Sequence, residues 1–272
     1  MCQGLLKYLS KLSKNLFLKR CLGYLLSPFA PLPSHRRVVL IYHAIGNTLW
    51  SVSEKNFAQQ MEWLNSNATV VSLSELLKNN EHDGIQVAIT FDDGYDSVHN
   101  IAFPEMDKFG FTGTVYLNTG MIDDDINKSS IPDEGHYQNT KFMNWYQVHE
   151  LGINHWNIGS HGVQHFDLCN MDERQVEAEL SQSKAEIQQR LDKNCDDFSY
   201  TWGSYNEKLK KQVEAAGYLS SVSGEHGPIT NESEMFAIPR IDIRQDYSIN
   251  DFSDVVKGRW DFLKTLQTLR HK

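Results

Sequence analysis

From Val38 onward, short apolar runs alternate with stretches whose apolar residues recur every three or four positions, the signature of strands alternating with helices. The runs are VVLIY (Val38 to Tyr42), ATVVS (Ala68 to Ser72), VAITF (Val87 to Phe91), TGTVYLN (Thr112 to Asn118) and a short one at Trp156 to Ile158. Between them, Ser53 opens a helix whose Phe57, Met61 and Leu64 share a face, and further helices are expected around Ser74 to Lys78, Ile101 to Phe109 and Trp145 to Leu151. Asn170 and Glu173 have the spacing of a capping box, which opens a long helix from Met171 to about Asp192. The C-terminal VVKGRWDFLKTLQTLRHK reads as one more helix. Such alternation predicts an α/β fold around a parallel sheet.

One run ends in chemistry. VAITF is continuous and rich in β-branched residues, as in a strand covered on both faces, and it stops at Asp92, Asp93 and Gly94. Adjacent carboxylates repel unless a cation or a shared proton settles them, so the pair suits a metal ligand beside a base, or a coupled acid dyad. Asp-Asp-Gly is also ordinary turn chemistry. A second constellation follows the Trp156 run: His161 and His165 stand four residues apart, a spacing that lets two imidazoles face one cation. In a chain with 11 histidines the same spacing also arises by chance. Between Thr112–Asn118 and Trp145, about twenty polar residues including Asp123, Asp124, Asp125, Gly135, His136 and Tyr137 form a long connection, read as a substrate-facing loop or lid.

Composition narrows the setting. With 272 residues, 40% of them hydrophobic, the chain can bury a full core and is most simply one large domain. A net charge of -9 argues against a general nucleic-acid binder. The charge is uneven: seven of the 26 basic residues and none of the 35 acids lie within residues 1–37, leaving 19 basic residues against 35 acids beyond them. Leu5, Leu9, Leu12 and Leu16 recur at helical spacing among Lys7, Lys11 and Lys14, and the lysines interrupt every apolar run before it reaches spanning length. Residues 1–37 therefore read as a basic amphipathic helical segment with a proline linker (Pro28, Pro31, Pro33), ahead of a catalytic domain at 38–272. Residues 5–29 of it either lie in the interface of an anionic membrane or pack on the end of a barrel. No signal peptide is recognised, and Cys2, Cys21, Cys169 and Cys195 show no C-x-x-C spacing. A cytoplasmic protein, peripheral at the inner membrane face, is the expected setting.

The order TFDDG, a long gap, then GSHGVQH resembles the polysaccharide deacetylase family, the NodB-homology or family 4 carbohydrate esterases. The resemblance implies Asp92 as catalytic base, with Asp93, His161 and His165 as ligands of a divalent metal, zinc first and cobalt or nickel as alternatives. FSYTWGSYN (Phe198 to Asn206) resembles the family's third motif, in which Trp202 would offer a backbone N–H to an oxyanion. Arg240 in AIPRIDIR is matched to the arginine that orients the catalytic Asp. The usual C-terminal strand ending in a catalytic histidine is missing, and LIYHAIG (Leu40 to Gly46) resembles the permuted poly-N-acetylglucosamine deacetylases, which makes His43 the general acid. Two positions depart from the family pattern: Gly162 stands where Ser or Thr is usual, and Thr201 where proline is common.

The resemblance covers about residues 38–262 and implies a distorted (β/α) barrel with about seven strands, with active-site residues at the strand carboxyl ends. It also implies removal of N-acetyl or other acyl groups from amino sugars of a bacterial surface polysaccharide, or of its lipid-linked precursor. Two further readings stay open from the residues: a carbohydrate-binding or assembly protein with a degenerate site, and a hydrolase of a non-sugar amide.

Overall fold

The computed structural model describes residues 15–26, 34–48, 50–78, 82–124 and 141–268. In chain order these form α1 (Leu16–Leu26), β1 (His35–Tyr42), β2 (Ala44–Ile45), β3 (Ser51–Val52), α2 (Glu54–Asn67), β4 (Thr69–Val70), α3 (Leu73–Leu77) and β5 (Gly84–Phe91). A π-helical turn (Val98–Ala102) runs into α4 (Phe103–Asp107), followed by β6 (Thr114–Leu117), α5 (Trp145–Ile153), β7 (Asn157–Ser160), α6 (Glu173–Leu191) and β8 (Asp197–Ser199). The chain closes with α7 (Glu207–Ala215), β9 (Ser220–His226), β10 (Ile238–Asp242), α8 (Ile249–Lys257) and α9 (Phe262–Thr268).

Seven parallel strands close a barrel in the order β1, β10, β9, β8, β7, β6, β5 and back to β1. The closing seam is the longest, pairing all eight residues from His35 to Tyr42 with Gly84 to Phe91. On its other edge β5 is shared: Gln86 and Val87 pair with the short β4, while Thr90 and Phe91 pair with β6. β4 thus fills the seam where the strands begin, and the barrel is distorted there.

The continuous apolar runs follow from this closure. Alternate residues of a barrel strand face the interior and the surrounding helices, and both environments are dry. Val39, Ala88, Tyr116, Val222 and Ile238 form one cluster with Leu73 and Leu76 of α3, while Val38, Leu40, Val87, Ile89, Phe91 and Val115 join the apolar faces of the outer helices. Leu76 and Ile229 meet the backbone and guanidinium of Arg37, so they plug the end at which the strands start. The opposite end stays open.

Several boundaries differ from the sequence reading. The long helix starts at Glu173 with Asp172 as its cap, in a reciprocal capping box with Gln175. Asn170 with Glu173 has the same spacing, but Leu168 to Asn170 instead close a 3-10 turn under the Asp167 side chain, and Met171 is extended. The C-terminal stretch is two helices, because Gly258 adopts a left-handed φ of +95° and ends α8. The barrel begins at His35, so Arg36 belongs to it: its buried guanidinium pairs with Asp261 at 2.7 Å and donates to the Val256 carbonyl. The described part of the basic N-terminal segment, α1, packs on the barrel. Arg20 holds Asp251 with two bonds of 2.7 and 2.6 Å, and Lys19 is buried between the rings of Tyr247 and Trp260. Burial, reinforced by Arg244, lowers the Lys19 pKa to about 8. The remainder of the expected amphipathic segment, the proline linker and most of the expected lid lie outside the described residues.

Candidate active site

The open end of the barrel gathers its chemistry because each strand's carboxyl end delivers the next few residues to the same rim. His43 follows β1, Asp92 and Asp93 follow β5, His161 follows β7, Trp202 follows β8, and Arg240 lies within β10. All of them, with His165, line one cleft of about 550 Å³.

Local backbone geometry sends the two adjacent acids different ways. Asp92 continues the ladder, donating its N–H to the Tyr42 carbonyl at 2.9 Å, whereas Asp93 and Gly94 turn left-handed with φ of +72° and +85°. Asp tolerates that conformation better than most side-chain-bearing residues. A Cβ on Gly94 would meet Leu117 Cδ2 at 3.0 Å, so glycine also lets the turn press onto β6.

Asp92 enters a buried cationic socket. Arg240 donates to its Oδ1 and Oδ2 at 2.8 Å each, and Ser199 Oγ donates to Oδ2 at 3.1 Å. Arg240 is itself fastened by bonds to the Ser223 carbonyl, Thr90 Oγ1 and Ser199 Oγ. Burial alone would raise the Asp92 pKa, but the Arg240 charge, followed by His161, the Arg240 hydrogen bonds and His43, outweighs it and holds the carboxyl well below the usual carboxylate range. The result is a dry carboxylate that stays ionised and keeps spare lone pairs at the cleft floor.

Asp93 faces the histidines. Its Oδ1 lies 3.6 Å from His161 Nε2 and 3.4 Å from His165 Nε2, and Asn118 Nδ2 donates to the same oxygen at 3.2 Å. The three donor atoms lie within 4.8 Å of one another. His161 Nδ1 is 2.7 Å from the Ser199 carbonyl. A carbonyl can only accept, so Nδ1 donates to it and Nε2 is the nitrogen left facing Asp93; such a second contact is one that metal-ligating histidines characteristically make. Two imidazole nitrogens and one carboxylate fit a divalent cation of the zinc, cobalt or nickel type and leave positions open for substrate.

The loop carrying both histidines is held by a residue that no motif marks. Glu179, a buried side chain on α6, accepts the N–H groups of Val163 at 2.6 Å and Gln164 at 3.1 Å. Gly162 sits between the two histidines at φ +82°, and a Cβ there would stand 2.9 Å from Glu179 Oε2. Its departure from the family pattern therefore has a local cause: with this φ and this carboxylate, glycine is what fits. Gly162→Ala is expected to lower stability by about 1–2 kcal/mol, through backbone strain and a displaced Glu179, and to weaken retention of a divalent metal. Thermal melting and metal content after dialysis check both effects.

Thr201, the other departure, also has a contact: its Oγ1 donates to the Phe166 carbonyl at 2.5 Å, tying the third-motif loop to the loop after His165. Trp202 is left-handed at φ 59°, packs against His165 with ring centroids 4.8 Å apart and planes tilted by 55°, and leaves its indole half-exposed as one wall of the cleft. Gly203 makes this possible by running against Gly224, where a Cβ would come within 2.6 Å of backbone. Across the cleft, the small parallel pair of β2 and β3 carries Trp50, whose ring lies 6.2 Å from that of His43. That pair, Glu179, Asn118 and Ser199 were not singled out in sequence. A buried Glu on a helix and a Ser at a strand tip have no distinctive spacing, so only the folded chain reveals them.

Comparison with known proteins agrees with this architecture. The polysaccharide deacetylase family model matches residues 79–220, a span that includes Asp92, Asp93, His161, His165 and Trp202 but not His43 or Arg240. The chain is 28% identical over 227 residues to the Bacillus subtilis protein YxkH, which carries the polysaccharide deacetylase name, covering 81% of this chain and 76% of that protein. It is 24% identical over 225 residues to the poly-beta-1,6-N-acetyl-D-glucosamine N-deacetylase of Staphylococcus aureus, covering 78% and 72% respectively. The solved Streptococcus pyogenes deacetylase PplD, in complex with acetate, shares the fold with a TM-score of 0.70 at 22% identity, over 81% of this chain and 98% of that one. With the family model spanning more than half of the chain, and its motif residues gathered at one barrel mouth, the protein belongs to the polysaccharide deacetylase family, enzymes that hydrolyse the carbon–nitrogen bond of an amide.

Proposed function

We propose that this chain removes N-acetyl or related acyl groups from amino sugars of a bacterial surface polysaccharide, or of its lipid-linked precursor, using a divalent cation, zinc first, held by Asp93, His161 and His165. The observation that carries this reading is the pairing of two carboxylates with opposite surroundings: Asp92 locked to Arg240, Asp93 turned to two imidazoles. A cation in that site supplies Lewis-acid polarisation of the acyl carbonyl and acidifies a water.

The remaining work falls to this chain's own groups. Asp92 accepts the proton of the attacking water, and Arg240 keeps it ionised and aimed. The backbone N–H of Trp202 is the donor assigned to the developing oxyanion. His43, on the far side of the cleft beside Trp50, protonates the departing amine, a poor leaving group without that proton. Trp50 and Trp202 offer apolar faces at the cleft walls on which a sugar ring can stack. The Staphylococcus aureus relative, named for a β-1,6-linked N-acetylglucosamine polymer, supports an N-acetylated amino sugar as the substrate class.

The test is acetate release from N-acetylglucosamine oligomers and from crude surface polysaccharide, before chelation, after it, and after zinc restoration. Release that chelation stops and zinc restores is expected. Release from linear amides but not from sugars would overturn the substrate class, and glycan binding without release by metal-loaded protein would overturn the proposed turnover.

A further inference from the structure

Helix α1 has two faces of opposite character. The inner face is keyed to the barrel by Lys19, by Arg20, and by Gly23, where a Cβ would strike the Trp260 indole at 2.9 Å. The outer face carries Phe17, Tyr24 and Leu25, which are 69%, 71% and 67% exposed. These positions are seven and eight residues apart and share one side of the helix. An apolar stripe left in water on a helix whose other side is specifically docked marks an interaction surface.

Its occupant is indicated by charge. Residues 1–14, which precede α1 in sequence, carry Lys7, Lys11 and Lys14 and no acid, whereas the chain as a whole is strongly acidic. An apolar stripe continued in sequence by lysines suits an anionic bilayer interface, where acyl chains take up the apolar residues and lipid headgroups the cations. Among the described residues no helix is long and apolar enough to cross a membrane.

Placement gives the contact a consequence for catalysis. Tyr247 and Asp251, which α1 grips, immediately follow Asp242, Arg244 and Asp246 on the cleft wall, and Lys19 is close enough to feel the charges of all three. We infer that Phe17, Tyr24 and Leu25 seat the enzyme on an anionic lipid surface with the catalytic cleft beside the contact. This rests on the proposed function only in saying where that site meets its substrate.

The experiment is co-sedimentation of the full chain with vesicles of phosphatidylcholine alone and with one-quarter phosphatidylglycerol. Wild type is expected to partition onto the anionic vesicles and to be released by 0.5 M salt. F17S/Y24S/L25S is expected to lose tenfold or more in partition while melting at the wild-type temperature, and K7Q/K11Q/K14Q to lose the preference for anionic lipid. Equal partition of the apolar triple variant would overturn the proposal. So would a wild-type dimer in solution that the triple variant converts to monomer, because the stripe would then be covered by a second copy. Vesicle binding and melting are read without turnover, so this result stands apart from success or failure of the acyl-release assay.

Discussion

Replacing Arg240 by leucine is expected to cut turnover a hundredfold or more and to destabilise the fold by about 3–5 kcal/mol, the usual consequence of stranding one partner of a buried ion pair. Arg240 contributes two of the three side-chain bonds to the Asp92 carboxylate and leads the interactions that keep it ionised against burial. The sign of the pH dependence follows. In the wild type the Asp92 pKa lies below its unfolded value, so its stabilising contribution is fully present above about pH 4 and is lost only as pH falls through the depressed value. Without Arg240 the largest opposition to burial is gone, and the pKa is expected to rise above the unfolded value, so the folded variant is penalised increasingly as pH rises from about 4 toward neutrality. The stability gap between the two proteins should therefore be widest near pH 7 and shrink toward pH 4. Melting curves across that range check it, and a gap that is flat or grows on acidification would show that Asp92 does not depend on Arg240 for its charge.

The second large effect separates the neighbouring acids. Asp93→Ala is expected to lose bound metal and with it all measurable turnover, because one of three donors disappears and two imidazoles remain. Asp92→Asn is expected to retain metal and lose turnover by about 10²–10⁴, the usual worth of a positioned general base. Metal content by elemental analysis, read beside the rate of acetate release, distinguishes them. Unchanged metal in the Asp93 variant would sink the ligand assignment, and near-normal turnover in the Asp92 variant would sink the base.

Both experiments use residues conspicuous in the linear chain. A strand buried on both faces must be apolar throughout, so VAITF stands out, and the polar residues that follow it must lie where the strand emerges. The same reasoning reaches His43 and His161, each close to the end of an apolar run, whereas Trp202 and Arg240 are reached through the family resemblance. Elements were less legible where the signal is degenerate. Asn170–Glu173 and Asp172–Gln175 have identical spacing, and the chain uses the second because the residues before it close a turn of their own. The C-terminal stretch carries one helical periodicity, and only the left-handed Gly258 divides it. Lys19 and Arg20 belong to the segment whose sequence leaves membrane contact and packing on a barrel both open, and only the fold supplies Tyr247, Trp260 and Asp251 from more than two hundred residues away.

What the sequence by itself determined is the alternation of strands and helices, the parallel α/β architecture and the short-range groupings Asp92–Asp93 and His161–His165, because hydrophobic periodicity and local spacing are properties of neighbours along the chain. Only the tertiary structure decided which carboxylate meets the guanidinium and which meets the imidazoles, that Glu179 holds the histidine loop, and that α1 turns its lysine inward and its aromatic residues outward. Those outcomes depend on groups brought together across long stretches of chain, and on buried charges whose partners are set by barrel closure rather than by any nearby residue.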